Sequence, residues 1–361
     1  MGLTLQNVGK IVDNEMHLED INLTFESGSK NILLGRTQAG KTSLLRIMAG
    51  LDRPTTGKII VDGNDVTGVS VRKRNIAMVY QQFINYPSLN IYKNIASPLK
   101  IIGMKKAEID KRVRETAEVL HIEHLLDRLP AELSGGQQQR TAIARALVKD
   151  SQLLLMDEPL VNLDYKLREE LRNELQDIFK KRDAIVVYTT TEPSEALMIG
   201  GEIVVLDEGC VLQEGKTSEV YHYPSNVKVA EVFSDPPISY INGSIGGNVV
   251  KFGNDIEFPI SKHFKGISSG DYKFGIRSNH FTLTRQKETD TEITSKVDLA
   301  EINGSETFIH IRYGDNDLVI QEDGIHEHKL GRDISVFVDP DNMFVYGVDG
   351  NLVTAPKKKN I

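Results

Sequence analysis

Between the apolar run Ile32-Leu33-Leu34 and the stretch Ser43-Leu44-Leu45-Arg46-Ile47-Met48 lies Gly35-Arg36-Thr37-Gln38-Ala39-Gly40-Lys41-Thr42. An apolar strand, a glycine-bounded loop and an amphipathic helix in that order are the setting in which G-x-x-x-x-G-K-[ST] cradles phosphate. Gly35 and Gly40 let the backbone approach an oxyanion without a Cβ in the way, so that successive N–H groups and the helix N-terminus converge on it. Lys41 is then placed to reach β- and γ-phosphates, and Thr42 to ligate Mg²⁺. A chain with this loop must build a strand-to-helix crossover, which points to an α/β fold.

The rest of the chain is consistent with that start. Residues 1 to 30 read as short strands, among them Leu18 to Phe25, with a break at Ser27-Gly28-Ser29. Lys58 to Val61 with Asp62-Gly63 reads as a hairpin strand, and Ile76 to Tyr80 as a buried one. From about residue 83 to 152 the composition is that of a helical insertion, with an irregular Phe83 to Leu89 and a charged helix over Ala107 to Leu120. Leu153 to Met156, Ala184 to Tyr188 and Ile203 to Leu206 are further buried strands alternating with helices, as in a largely parallel sheet. Leu163, Leu167, Leu171, Leu175 and Ile178 recur at helical spacing, a stripe for core packing. Beyond about 235 no long helix is predicted. Short strands such as Thr307 to Tyr313 and Ile334 to Val338 alternate with glycine and aspartate turns, the pattern of a small antiparallel barrel or sandwich. Two domains are expected, 1–235 and 236–361, with Lys357-Lys358-Lys359 as a solvated end.

Two more segments carry chemistry. Leu153-Leu154-Leu155-Met156-Asp157-Glu158 is an apolar strand ending in two carboxylates. Such a strand can deliver Asp157 to a Mg²⁺ shell and leave Glu158 to polarise an attacking water. Leu133-Ser134-Gly135-Gly136-Gln137-Gln138-Gln139-Arg140 opens a helix with a serine and two glycines, a second anion-binding terminus. Two phosphate sites for one nucleotide are economical only when different chains supply them.

With these residues in view, the chain resembles the ATPases of ABC transporters, in particular the subunits of bacterial carbohydrate importers, over nearly its whole length. The resemblance extends to Val79-Tyr80-Gln81-Gln82 (Q-loop), Pro159-Leu160-Val161-Asn162-Leu163-Asp164 (D-loop) and Asp271-Tyr272-Lys273-Phe274-Gly275-Ile276-Arg277 of an OB-like, TOBE-type C-terminal domain. It implies a parallel-rich core sheet with an antiparallel β subdomain and a helical subdomain, binding ATP and Mg²⁺. By resemblance Gly35 to Ser43 hold the phosphates, and Thr42, Gln81 and Asp157 serve the metal. Glu158 and Gln81 act in hydrolysis, and Ser134, Gly135, Gly136, Gln137 and Asp164 meet the nucleotide across a dimer. The implied partners are two membrane-spanning permease subunits, touched by Phe83 to Leu89, a second ATPase subunit or a second copy of this chain, and indirectly a periplasmic substrate-binding protein. The implied place is peripheral, on the cytoplasmic face of the bacterial inner membrane.

There are departures. Val187-Tyr188-Thr189-Thr190-Thr191-Glu192 puts Thr191 where the family's switch histidine stands, and the threonine hydroxyl is too short to replace an imidazole at a γ-phosphate. Val12 falls at about the position of the aromatic that stacks on adenine, and Arg277-Ser278-Asn279 replaces the usual Arg-Pro-Glu. Both losses around the nucleotide lie in the half-site built by this chain's own loop, while the Ser134 segment is retained. That combination is expected of a heterodimer in which this chain completes its partner's site, and the stretches Leu34-Gly35…Ala39-Gly40-Lys41-Thr42-Ser43-Leu44, Tyr80-Gln81-Gln82-Phe83-Ile84-Asn85-Tyr86-Pro87 and Thr189-Thr190-Thr191-Glu192-Pro193 look most like glycerol-type subunits. A slow homodimer and a weakly catalytic scaffold subunit are the alternatives.

Composition narrows the remainder. With 43 basic against 51 acidic residues and a net charge of −8, the chain gives no support to broad nucleic-acid binding. Cys210 is the only cysteine, which excludes an intrachain disulfide and fits a reducing compartment. No signal peptide and no run long enough to span a membrane is read from the sequence.

Overall fold

The glycine-bounded loop joins an interior strand of a six-stranded sheet to a helix, and the first part of the chain is assembled around that joint. The computed structural model describes residues 2–357 apart from 162 and 254. Strands β1 (Leu3–Val12) and β2 (Glu15–Phe25) form an antiparallel hairpin turned by Asp13 and Asn14, both at positive φ. Next come β3 (Lys30–Leu34), α1 (Lys41–Ala49), β4 (Thr56–Val61) and β5 (Asn64–Asp65), the last two completing a sheet of order β2-β1-β4-β5. After β6 (Ile76–Val79) the chain leaves for the helical segment, α2 (Ile91–Ile101), α3 (Lys106–Val119) and α4 (Gly135–Leu147). It returns as β7 (Leu153–Asp157), α5 (Tyr165–Lys180), β8 (Ile185–Thr190), α6 (Pro193–Ile199), β9 (Glu202–Asp207) and β10 (Cys210–Lys216). The main sheet runs β10-β9-β3-β8-β7-β6, and only the β9–β10 pair is antiparallel.

The near-continuous apolar runs of β3, β7, β8 and β9 follow from burial on both faces of a parallel sheet. One face packs Leu33, Leu155, Val187 and Leu206 against Leu44, Leu45, Ile47 and Met48 of α1 and against Leu5, Leu23 and Phe25 of the hairpin. Each such fully buried side chain contributes about 1.5–3 kcal/mol. In α5 the fully buried stripe is Leu171, Leu175 and Phe179, with Leu167 and Ile178 only half-buried. The sequence reading did not single out α2. It is capped by Asn90, whose side chain accepts from Lys93 N, and it tolerates Pro98 late in its length.

The chain divides into two compact units, 1–217 and 218–361. The composition change had suggested 235/236 instead. The difference lies in two short helices, α7 (Thr217–His222) at the junction and α8 (Val227–Val232). Ala230 of α8 shares a small core with Ile238, Phe344 and Tyr346, and Asn226 bridges to Asn351, so this stretch belongs with the C-terminal unit. The remainder of the second unit is antiparallel β. Strands β11 (Ser239–Gly246), β12 (Val249–Phe252), β13 (Ile256–Pro259) and β14 (Gly270–Ile276) lead to β15 (Phe281–Thr282), β16 (Thr291–Ile302), β17 (Glu306–Tyr313) and β18 (Asn316–Asp323). Then follow β19 (Asp333–Val338), β20 (Phe344–Tyr346) and β21 (Leu352–Thr354). Sheets ordered β13-β12-β11-β14-β20-β21 and β15-β19-β16-β17-β18 close over one core that includes Phe252, Phe274, Ile293, Ile309 and Val336, the OB-like arrangement expected. Asn162, Lys358 and Lys359, named in the sequence reading, lie outside the described residues.

Candidate functional site

Gly35 and Gly40 are required by close approach. A Cβ on Gly35 would lie 2.4 Å from the carbonyl oxygen of Leu206 at the end of β9. Gly40 has φ of 97° and caps α1, and a Cβ there would lie 2.8 Å from the carbonyl oxygen of His17. Between them Arg36, Thr37 and Gln38 are exposed and Ala39 is buried. The Lys41 side chain is only 4% exposed and folds over the loop, its ammonium donating to Gly35 O at 2.8 Å and Arg36 O at 3.0 Å.

Three strand ends meet this loop. Parallel pairing sets Asp157 beside Thr189, and Thr190 beside the end of β3. The Thr42 hydroxyl donates to Asp157 Oδ1 at 3.1 Å and the Thr189 hydroxyl to the same oxygen at 3.0 Å. Burial pushes the Asp157 carboxyl above its usual range, and those two hydroxyls pull against it. Glu158, in the left-handed region at φ 43°, directs its carboxylate to Lys41 at 3.2 Å and accepts from Gln81 Nε2 at 3.1 Å. Its own N–H donates to Thr189 Oγ1 at 2.9 Å. Residues far apart in sequence, Lys41, Thr42, Gln81, Asp157 and Glu158, thus form one cluster. Thr191, just past β8, lines a small cavity with Glu158, Arg168 and Glu192, and its neighbour Glu192 pairs with Arg168 at 2.6 Å.

The Ser134 segment is built as a helix start. Ser134 Oγ accepts from Gln137 N at 3.4 Å and Gln137 Oε1 from Ser134 N at 3.0 Å, a reciprocal capping box. Gly135 has open space where a Cβ would be, whereas one on Gly136 would lie 2.9 Å from Leu167. The hydrogen bonds of Ser134 and Gln137 stay within their own turn or the next. Asp164 caps α5 by accepting from Leu167 N at 3.0 Å.

Two residues near the loop escaped the sequence reading. Thr189 ties Asp157 to the Glu158 backbone, and the register of β7 against β8 was the only signal for it. His17 on β2 has Nδ1 at 3.4 Å from Ser43 Oγ, a contact between strand and helix that no local pattern announces. Beside Val12, Ile11 and Met16 face each other across the hairpin, both exposed, so the surface there is aliphatic.

The oxygens of Thr42 and Asp157 form a hard donor pair suited to Mg²⁺. The loop's free approach and its buried lysine suit a triphosphate. A protein-family model described as ABC transporter matches residues 18–161. Among curated proteins, the sn-glycerol-3-phosphate import ATP-binding protein UgpC of Salmonella typhimurium is 37% identical over 323 residues, 89% of this chain and 90% of that protein. The chain belongs to the ABC transporter ATP-binding family. The maltose/maltodextrin import ATP-binding protein MalK of Mannheimia succiniciproducens is 34% identical, covering 96% of each chain. A solved dimeric ATP-binding cassette, MJ0796 in a post-hydrolysis state with ADP and Pi, shares 31% identity, with a TM-score of 0.54 over 60% of this chain and 98% of that one. The ABC-type ATPase fold and ATP as the nucleotide follow from these matches.

Proposed function

We propose that this ABC ATPase couples ATP hydrolysis to uptake of a small polyol or sugar, glycerol or a related carbohydrate, at the cytoplasmic face of a bacterial inner membrane. The observation that carries the reading is the Lys41, Thr42, Asp157, Glu158 and Gln81 cluster, together with relatives named as import ATP-binding proteins. Thr42 and Asp157 would hold Mg²⁺, with Gln81 beside them, and the ion would offset charge on the β- and γ-phosphates. Lys41 leaves Gly35 O and Arg36 O for those phosphates. Glu158 then keeps its place through the Thr189 bond and serves as base toward a water held by Gln81.

A second ATP-binding subunit whose Ser134-type helix start faces these phosphates would complete the site, in keeping with the dimeric state of the solved cassette that the chain resembles. Partnership with permease subunits is supported by a groove of about 280 Å³ lined by Tyr86, Ser97, Pro98, Ile101, Ile102 and Arg145. Ile101 is 83% exposed and no described helix is long and apolar enough to cross a membrane, so such a groove suits docking onto another, membrane-held chain.

Thr191 favours a second reading, in which this chain binds ATP mainly to hold a heterodimer whose other site does most of the work. The two are separated in the assembled complex. Under the first, Glu158→Gln lowers turnover at least about tenfold and Thr191→His raises it. Turnover untouched by both substitutions would place the chemistry in the other subunit.

A further inference from the structure

A cavity of about 420 Å³ lies wholly within the second unit, in the size range of small-molecule sites. Arg277, directly after β14, forms part of its wall and is only 7% exposed. The guanidinium is sandwiched between the ring of Tyr221, 3.6 Å away, and that of Phe344, 4.9 Å away. Nη2 donates to Tyr221 O at 2.6 Å, Nε makes no hydrogen bond, and no carboxylate among the described residues neutralises the charge. A buried cation of this kind is stable only in part through its aromatic neighbours, and an anion in the cavity would supply the missing partner.

A second polar anchor, Asp290, lines the same cavity. Asp290 is 5% exposed, and its Oδ2 accepts from the backbone of Gln286 and Lys287, each at 2.8 Å. Its Oδ1 has no partner. Lys287 is engaged by Asp339 at 2.5 Å, and with Lys357 also on the rim the cations outnumber the carboxylates.

We propose that this cavity binds a small hydroxylated oxyanion, its phosphate or carboxylate on the Arg277 guanidinium and a hydroxyl donated to Asp290 Oδ1. The planar fork of arginine suits either oxyanion, and the free carboxylate oxygen selects for a neighbouring hydroxyl. The site is independent of the nucleotide chemistry of the first unit, so its test stands whether or not the transport reading holds.

The experiment is isothermal titration of the full chain carrying Lys41→Ala, which keeps the phosphate loop from taking up the probe. Sn-glycerol 3-phosphate and glycerate are the two anionic arms, and glycerol is the neutral control. Saturable 1:1 binding of at least one anion, with none for glycerol, is expected, and the arm that binds identifies phosphate or carboxylate as the anchored group. Arg277→Gln should weaken binding by about tenfold or more. Because that change also removes a packed aromatic sandwich, Asn279→Trp, at an exposed rim position, provides a second variant that obstructs the cavity and leaves Tm unchanged. Absence of binding by both anions, equal binding of glycerol, or full binding retained in both variants would overturn the assignment.

Discussion

Thr189 shows how much a single hydroxyl can organise. It is fully buried, donates to Asp157 and accepts from the N–H of Glu158, whose left-handed backbone would otherwise leave that donor without support. Thr189→Val keeps the shape and removes both bonds. Denaturant unfolding should show a loss of about 1–3 kcal/mol, with ATPase activity reduced in the same variant because Glu158 loses its fixed orientation. A second residue-scale prediction concerns Glu195, which is 6% exposed and accepts from Tyr188 Oη at 2.8 Å. Burial holds its carboxyl above the usual range. A raised folded-state value means that this group's stabilising contribution is complete below the unfolded carboxyl pKa and is lost as pH rises through the folded one. Glu195→Gln, which keeps an acceptor and carries no charge, should therefore be more stable than the parent near pH 8. Its advantage should shrink steadily as unfolding curves are recorded down toward pH 5, and a constant difference would contradict this.

At the scale of elements, the stretch between β6 and α2 is ordered by one side chain. Asn94, fully buried on α2, accepts from Tyr86 N at 2.8 Å and donates to the carbonyls of Tyr86, Leu89 and Asn90. An irregular segment thus satisfies its backbone without a strand or helix, and Arg145 of α4 stacks over the Tyr86 ring at 4.9 Å. Asn94→Ala should cost about 2–4 kcal/mol, since several buried partners lose their bond at once. Hydrogen exchange should rise at residues 86–90 before it rises in β7. The same segment adjoins the groove proposed for the permease, so the variant should also be recovered with less permease in a pull-down. Ser134→Ala tests the other helix start. Loss of its capping box should lower stability by only about 1 kcal/mol, whereas complex ATPase should fall far more if the residue faces a partner's nucleotide.

At the scale of the molecule, each unit has its own hydrophobic core, one around Leu33, Leu155 and Leu206 and the other around Phe252, Phe274 and Val336. Ligands bound by one unit should stabilise that unit by mass action. With ATP and Mg²⁺ at about 100 times Kd, the transition of the α/β unit should gain about 2.7 kcal/mol. The transition of the β unit should respond instead to the oxyanion that fits the Arg277 cavity. Calorimetry with each ligand in turn checks this, and a single transition moved equally by both would show the units to be thermodynamically one.

The sequence by itself determined the α/β crossover at Gly35 to Thr42, the helix start at Ser134 and most strands of the main sheet, because glycine, cap and periodicity signals are local and survive in one dimension. What the tertiary structure decided is everything that depends on register and close approach. Thr189 reaches Asp157 only because β7 and β8 pair in parallel, and His17 meets Ser43 only because the hairpin lies on α1. The short helices at 217–232 join the β unit because Ala230 finds its core there, and Arg277 becomes a buried, unneutralised cation only once Tyr221 and Phe344 close on it. Packing over long sequence separations sets those contacts, and no local pattern encodes it.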